Sequence, residues 1–220
     1  MREIFPGIYK WRNKLWTKNL VPGQQVYGER LATFNGVEYR EWNPFHSKLA
    51  AAIVKKLKHL PLKAGSRVLY LGIAEGTTAS HISDIIGEEG VIFGVDISEK
   101  CLAKLLQICE ARKNIIPVLA DANKPESYEA YVKEIKPQIL YQDVSQKNQA
   151  EIFSKNARLF LKKEAYGLLA LKAPSISSTK KPSRVFRKEE KKLLEEFEII
   201  EKVPLSPFEK KHRFYLLKKR

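Results

Sequence analysis

The segment Arg67-Val-Leu-Tyr-Leu-Gly-Ile-Ala-Glu-Gly-Thr-Thr78 constrains this chain more than any other. An apolar run breaks at Gly72. A small-residue turn with a second glycine, Gly76, follows. Thr77 and Thr78 then open an amphipathic stretch from Ala79 to Ile86. Strand, glycine turn and helix in that order bring backbone amides to a nucleotide-like ligand. Two glycines in such a turn also serve tight packing alone, so the motif needs company.

The rest of the chain supplies it. From Arg67 onward, β-like apolar runs appear at Arg67–Gly72, Val91–Ile97, Ile115–Ala120, Gln138–Asp143 and Gly167–Lys172. Helix-period segments separate them at Thr77–Ile86, Glu99–Arg112, Ser127–Ile135 and Asn148–Leu161. This alternation predicts a parallel sheet covered on both faces. A charged helix over Arg187–Glu196 leads to two further runs, Phe197–Val203 and His212–Leu217, joined through Pro204-Leu-Ser-Pro207 with no helix between them. Without a crossover, neighbouring strands run antiparallel. The expected fold is therefore α/β: a Rossmann-like methyltransferase with a mostly parallel seven-stranded sheet and an antiparallel last strand.

Residues 1–45 read as a separate small antiparallel β unit and residues 46–220 as the main domain. Gly7–Trp11 and Val26–Phe34 are β-like, with turns at Pro22-Gly23 and Asn35-Gly36. A helix is predicted over Ser47–His59, capped by Ser47 or Asn43 and followed by Pro61. The Ser-rich, basic segment Ser175–Ser183 reads as a mobile surface loop.

Composition limits the classes further. The net charge of +15 is uneven, with fourteen Lys/Arg against seven acids over residues 180–220. Such an imbalance points to a polyanionic partner. A generally charged surface would explain charges of both signs but not the excess of one. There is no long apolar run and no apolar leader at Met1–Gly7, so no membrane association is expected and a cytoplasmic location is. Cys101 and Cys109 lie eight positions apart on one predicted helix, roughly 12 Å at 1.5 Å per residue, too far for a disulfide. His46, His59, His81 and His212 share no metal-ligand spacing, and structural or surface roles are expected of them. Trp11, Trp16 and Trp42 are expected to anchor the N-terminal sheet, with stacking on bases as the other reading.

Three acids end three consecutive strands: Asp96, Asp121 and Asp143. Ligands of open α/β sheets sit at these carboxyl ends. Asp96, twenty-four positions after Gly72, is placed to meet a ribose, and Asp121 beside Ala122 to meet an adenine amino group. Aspartate also caps loops, and that reading stays open for any one of them. Glu75 in the turn is expected to repel a pyrophosphate, which favours the cationic S-adenosylmethionine over a dinucleotide. Lys172 ends the fifth strand and Lys48 opens a helix. Lys172 is either a surface residue or a catalytic one paired with Asp143.

The chain resembles the archaeal fibrillarins. The resemblance rests on Tyr27-Gly-Glu-Arg-Leu31, on Tyr39-Arg-Glu-Trp-Asn-Pro-Phe-His-Ser-Lys-Leu-Ala-Ala-Ala-Ile53 and on Val68 through Asp84. Asp121-Ala122, Asp143-Val-Ser-Gln146 and Leu171-Lys-Ala173 add to it. It implies 2′-O-methylation of rRNA, with tRNA as a further substrate, from S-adenosylmethionine. It implies a C/D box guide RNA and target RNA as partners, with a Nop-family scaffold protein and a ribosomal-like kink-turn-binding protein. The implied cofactor residues are Gly72, Thr77, Thr78, Asp96, Ile97, Asp121, Ala122, Asp143, Val144, Ser145 and Gln146. The implied catalytic residues are Lys48, Asp143 and Lys172. The chain departs from the family at Glu75, usually serine, and at Asp96, usually glutamate. It also carries Glu164-Ala-Tyr-Gly167 where Gly-Gly is common before the fifth strand. A nicotinamide dehydrogenase would need a substrate domain and a phosphate-tolerant turn. A non-enzymatic RNA-binding subunit with a vestigial cofactor site is the other alternative, and retention of the two lysines and Asp143 argues against it.

Overall fold

A computed structural model describes residues 1–220. Strands β1 (Arg2–Phe5), β2 (Ile8–Trp11), β3 (Lys14–Lys18), β4 (Leu31–Phe34) and β5 (Val37–Trp42) form an antiparallel sheet in the order β1-β2-β3-β5-β4. Then follow α1 (Lys48–Val54), β6 (Arg67–Leu71), α2 (Thr77–Ile86), β7 (Val91–Asp96), α3 (Glu99–Ala111) and β8 (Ile115–Leu119). A 3₁₀ turn at Pro125–Tyr128 runs into α4 (Glu129–Ile135), then β9 (Ile139–Gln142), α5 (Gln149–Phe160) and β10 (Tyr166–Lys172). The chain ends with α6 (Ala173–Ile176), α7 (Pro182–Leu193), β11 (Phe197–Pro204) and β12 (His212–Lys219).

The main sheet has seven strands in the order β11-β12-β10-β9-β6-β7-β8. Strands β6 to β10 pair parallel, while β12 runs antiparallel to both β10 and β11. This is the expected fold. Along β6 the side chains alternate: Val68 and Tyr70 enter a core with α1, α2 and α3, while Leu69 and Leu71 enter a second core with α4, α5 and α7. Both faces are dry, so the strands read as continuous apolar runs. The strand order reverses between β6 and β9, which opens a crevice at their carboxyl ends. No helix is long and apolar enough to cross a membrane.

Four expectations about local structure change. The helix at residue 48 stops at Val54, because Lys56 adopts φ 69° and Leu57 turns into the core. Its N-cap is Ser47, whose hydroxyl accepts the Ala50 amide. The run Val26–Phe34 is a strand only from Leu31. The Val26 and Tyr27 amides are taken up by the Glu29 carboxylate instead of a ladder. Helix α7 begins at Pro182, five residues before Arg187, with proline in the first turn where its missing N–H costs nothing. With α6 before it, only residues 177–181 of the Ser-rich segment remain loop.

The N-terminal sheet packs on α2. Ile8, Leu15 and Trp42 join the first core. Beside them lies a buried charged network. Arg40 is 0 % exposed, and its guanidinium reaches Glu29 at 2.5 Å and Asp84 at 2.8 Å. Arg112 binds the other Asp84 oxygen at 2.6 Å. His81 stacks on Trp42 and is held well below its ordinary pKa by burial and by the two arginines. Neutral, it donates Nδ1–H to Thr17 Oγ1 at 2.7 Å, and Thr17 donates in turn to Asp84. Trp16 and Trp42 are buried as anchors of this sheet, while Trp11 is only partly covered.

Candidate active site

The turn after β6 is built around a close approach. Gly72 has φ 78°, and a methyl group there would stand 2.4 Å from the Asp143 carbonyl oxygen. Only glycine lets β6 and the end of β9 meet this way. Gly76, at φ 89°, N-caps α2 and lies against Leu105. Between them Ala74 is held at φ 51°, an uncommon conformation for a residue with a Cβ. Asp96 holds this turn: one carboxylate oxygen accepts the Ala74 amide at 2.8 Å and the other the Ser98 amide at 2.9 Å.

A pocket of about 400 Å³ opens over these strand ends. Gly72, Asp96, Ile97, Ala122, Asp143, Val144, Ser145 and Gln146 line it, all expected from the sequence, together with Ala74, Val95 and Ala120, which were not. Those three are small apolar side chains with no chemical signal of their own. Asp121 stands just behind the wall, where it accepts from Gln146 Nε2 at 3.2 Å and from the Asn123 amide at 2.9 Å. The side-chain oxygen of Gln146, Oε1, is buried with no hydrogen-bond partner, an acceptor left open in a residue of the pocket wall. Thr77 and Thr78 do not line this pocket, and Thr78 Oγ1 instead donates to Ser47 Oγ at 3.0 Å, tying α2 to α1.

Glu75 is displaced from its expected role. Its side chain is 50 % exposed and bound to Lys104 of α3 at 2.6 Å, and it forms no part of the pocket wall. The turn's own charge therefore does not select against phosphate.

Asp143 is the hinge between the pocket and a second set of groups. Its carboxylate accepts from Lys48 Nζ at 2.8 Å, across ninety-five residues of sequence, with both side chains about 20 % exposed. A pairing of Asp143 with Lys172, one of the two readings left open for that lysine, is not seen. Lys172 uses its backbone amide on Gln149 Oε1 at 2.9 Å and leaves its ammonium without an ion pair or hydrogen bond. Burial works against the Lys48 charge, but the Asp143 carboxylate outweighs it and holds Lys48 above the ordinary lysine value. Beneath the pair lie Tyr70 and Tyr141, ring centroids 4.3 Å apart, both phenols pushed up by burial and by the Asp143 charge. They stay neutral, which leaves the ion pair on an uncharged floor.

His212 completes the cluster, a position the sequence reading assigned to structure or surface. It sits opposite Lys172 in the β10–β12 ladder, buried, with Nδ1–H donated to the Lys210 carbonyl at 2.8 Å. That tautomer leaves Nε2 as a lone pair. Burial lowers its pKa, and Lys48 adds to this; the Lys210 carbonyl, Glu209 and Asp143 oppose it. Only the strand register brings it here, so no local sequence signal could have found it.

A sequence model of the family described as Fibrillarin matches residues 1–220. The chain belongs to the fibrillarin family. Among curated proteins, the fibrillarin-like rRNA/tRNA 2′-O-methyltransferase of Thermococcus onnurineus is 51% identical over 223 residues, covering 99% of this chain and 98% of that protein. Aeropyrum pernix fibrillarin, solved with natively bound S-adenosyl-L-methionine, superposes with a TM-score of 0.86 at 50% identity, covering 93% of this chain and 88% of that one. A fibrillarin solved in complex with Nop5p superposes with a TM-score of 0.91 at 41% identity, covering 100% of both chains.

Proposed function

We propose that this fibrillarin transfers the methyl group of S-adenosylmethionine to ribose 2′-hydroxyls of rRNA and tRNA. In this reading it is the catalytic subunit of a C/D box guide-RNA particle, seated on a Nop-family scaffold protein, with a kink-turn-binding protein holding the guide. The observation that carries it is the Lys48–Asp143 pair at the mouth of the strand-end pocket, flanked by Lys172 and His212. The relatives' names, the bound S-adenosylmethionine and the Nop5p complex support the same reading.

The residues fit the cofactor. Asp96 and Asp143 line the pocket, Asp121 stands just behind its wall, Gln146 Oε1 is a buried acceptor without a partner, and no cation is among the lining residues. Asp96 would hold the ribose hydroxyls, and Asp121 with Gln146 the adenine amino group. When bound, S-adenosylmethionine supplies an electrophilic methyl on a sulfonium that leaves as a neutral thioether, so no acid is needed for departure. The protein's work is on the acceptor. Lys48, fixed by Asp143, and the unpaired Lys172 orient the 2′-oxygen and stabilise the charge that grows as its proton leaves. His212 Nε2 is the unprotonated nitrogen of the cluster and takes that proton.

Asp96→Ala is expected to weaken S-adenosylmethionine binding by roughly one to two decades, since a hydrogen bond to a charged group is worth about 1.5–3 kcal/mol. Isothermal calorimetry measures it. Unchanged affinity would reduce Asp96 to a clasp on Ala74 and Ser98.

The pH profile gives a second test. Because His212 is held below the ordinary histidine value, it is neutral at neutral pH and protonates only in more acid solution. Lys48 is held above the ordinary lysine value and stays charged throughout that range. Single-turnover methylation should therefore stay flat down through pH ~6.5, the ordinary histidine value, and fall only below it. His212→Gln should be slow at every pH and lose that acid limb. An inflection above the ordinary value in the parent, or the same limb in His212→Gln, would remove His212 from the reaction.

A further inference from the structure

We propose that α7 carries a track for the phosphate backbone of the guide–target RNA duplex, made by Arg184, Arg187, Lys188 and Lys191. The inference rests on the RNA-methyltransferase reading and assigns a surface that the active site does not use. The four residues follow an i, i+3, i+4, i+7 spacing, which puts them on one helix face over about 10 Å at 1.5 Å per residue. All four are exposed. The opposite face is buried through Val185, Phe186, Glu189 and Leu193.

These cations are unlike those of the other helices. In α1, α3, α4 and α5, Lys48, Lys104, Lys133, Lys155 and Arg158 each have a carboxylate partner, and only Lys100 has none. In α7 only Lys192 is paired, with Glu189. The helix's other acid, Glu190, is taken by Arg213, Lys202 and Tyr215 on the sheet side. A solvated, charge-balanced surface does not look like this. Position sharpens the contrast. The first turn of α7 holds no acid, and Arg184 sits there after the exposed Lys180 and Lys181. Cations are disfavoured at that end of a helix, where the backbone dipole is positive. Four unpaired cations on one face, the first of them held against the helix field, fit an external polyanion.

Topology places that row beside the reaction. Strand β10 ends at Lys172, α6 begins at the next residue, and α7 starts at Pro182 and returns along the sheet face to β11. The N-terminal end of the stripe is thus at the carboxyl edge of the strands, where Lys172 and the pocket lie. A duplex laid along α7 would enter the site from that side. The contacts would be to phosphates, so they would position RNA without reading sequence.

The test uses the full chain with all four residues changed to alanine, a substitution that favours an exposed helix. The probe is a short fluorescent RNA duplex, titrated over a range of salt. Each phosphate contact contributes about 0.9 to the slope of log K against log salt for a B-form duplex. The slope is expected to become shallower by about 3 to 4, with binding at least roughly ten-fold weaker at low salt. Calorimetric S-adenosylmethionine affinity should be unchanged. A control at the opposite edge, Lys113→Ala/Lys163→Ala, should leave the slope within error. An unchanged slope in the quadruple variant would overturn the proposal. So would an equal loss per charge in the control, which means diffuse attraction, or a loss of scaffold-protein binding with RNA binding intact. Absence of 2′-O-methyl product from the reconstituted particle carrying the unaltered chain, with a normal salt slope, would instead count against the enzymatic reading alone.

Discussion

Lys48→Ala is expected to fold, to bind S-adenosylmethionine within a few-fold of the parent, and to lose about two to three decades in single-turnover methyl transfer, the usual cost of one preorganised charged group. The effect is large because Lys48 is held in place before substrate arrives. Asp143 fixes it at 2.8 Å on a neutral floor of two buried tyrosines. Folding should survive, because the carboxylate left behind faces the open pocket and retains access to water. Lys172→Ala should lose a similar factor, although its ammonium has no partner in the protein and must be ordered by the RNA. Reconstituted particles under single-turnover conditions separate these outcomes from binding. Near-parental rates in both variants would leave catalysis to positioning alone.

The largest effect on stability is expected at Arg40. Removing one partner of a fully buried ion network typically costs about 3–5 kcal/mol. For a chain of this size about 2–4 °C of melting temperature follows each kcal/mol, so Arg40→Ala should melt roughly 6–20 °C lower. Glu29 and Asp84 would lose their shared guanidinium, and Asp84 would keep Arg112 as its one arginine beside the neutral donors Thr17 and the Leu20 amide. We propose the division at residues 1–45 and 46–220 as one of architecture, with the two parts unfolding together because their core and this network are shared. Calorimetry should show one transition in parent and variant. A second transition appearing in Arg40→Ala would mean that the N-terminal sheet folds by itself.

The parts of this molecule that could be read in sequence are those where burial leaves a local pattern. The strands β6 to β10 came out within a residue or two, because both faces are covered and glycine or aspartate ends most of them. Helix α2 was delimited as observed, from Thr77 to Ile86. Strands β1, β3 and β5 leave no such pattern. They are short, and charged residues interrupt them, as in Lys14-Leu-Trp-Thr-Lys18. Arg40 reads as a surface cation in Val37–Trp42, yet it is among the most buried side chains of the chain. Nothing nearby in sequence announces Glu29 and Asp84 as its partners.

The site divides the same way. The pocket acids sit at strand ends, which sequence locates. The partner of Asp143 does not: the choice between Lys48 and Lys172 depends on how α1 packs across the sheet, a contact between distant segments. His212 depends on the β10–β12 register. Glu75 shows the opposite error. Its charge was read at its place in the turn, but its side chain points outward to Lys104.

The measurement that tests the account most directly is nucleoside analysis of a guided target RNA after incubation with the reconstituted particle and isotopically labelled S-adenosylmethionine. One labelled methyl per target is expected, on the ribose 2′-oxygen of a single guide-paired nucleotide, and none when Lys48 and Lys172 are both replaced by alanine. Label on a base, or a 2′-O-methyl yield that the double replacement leaves unchanged, would contradict it.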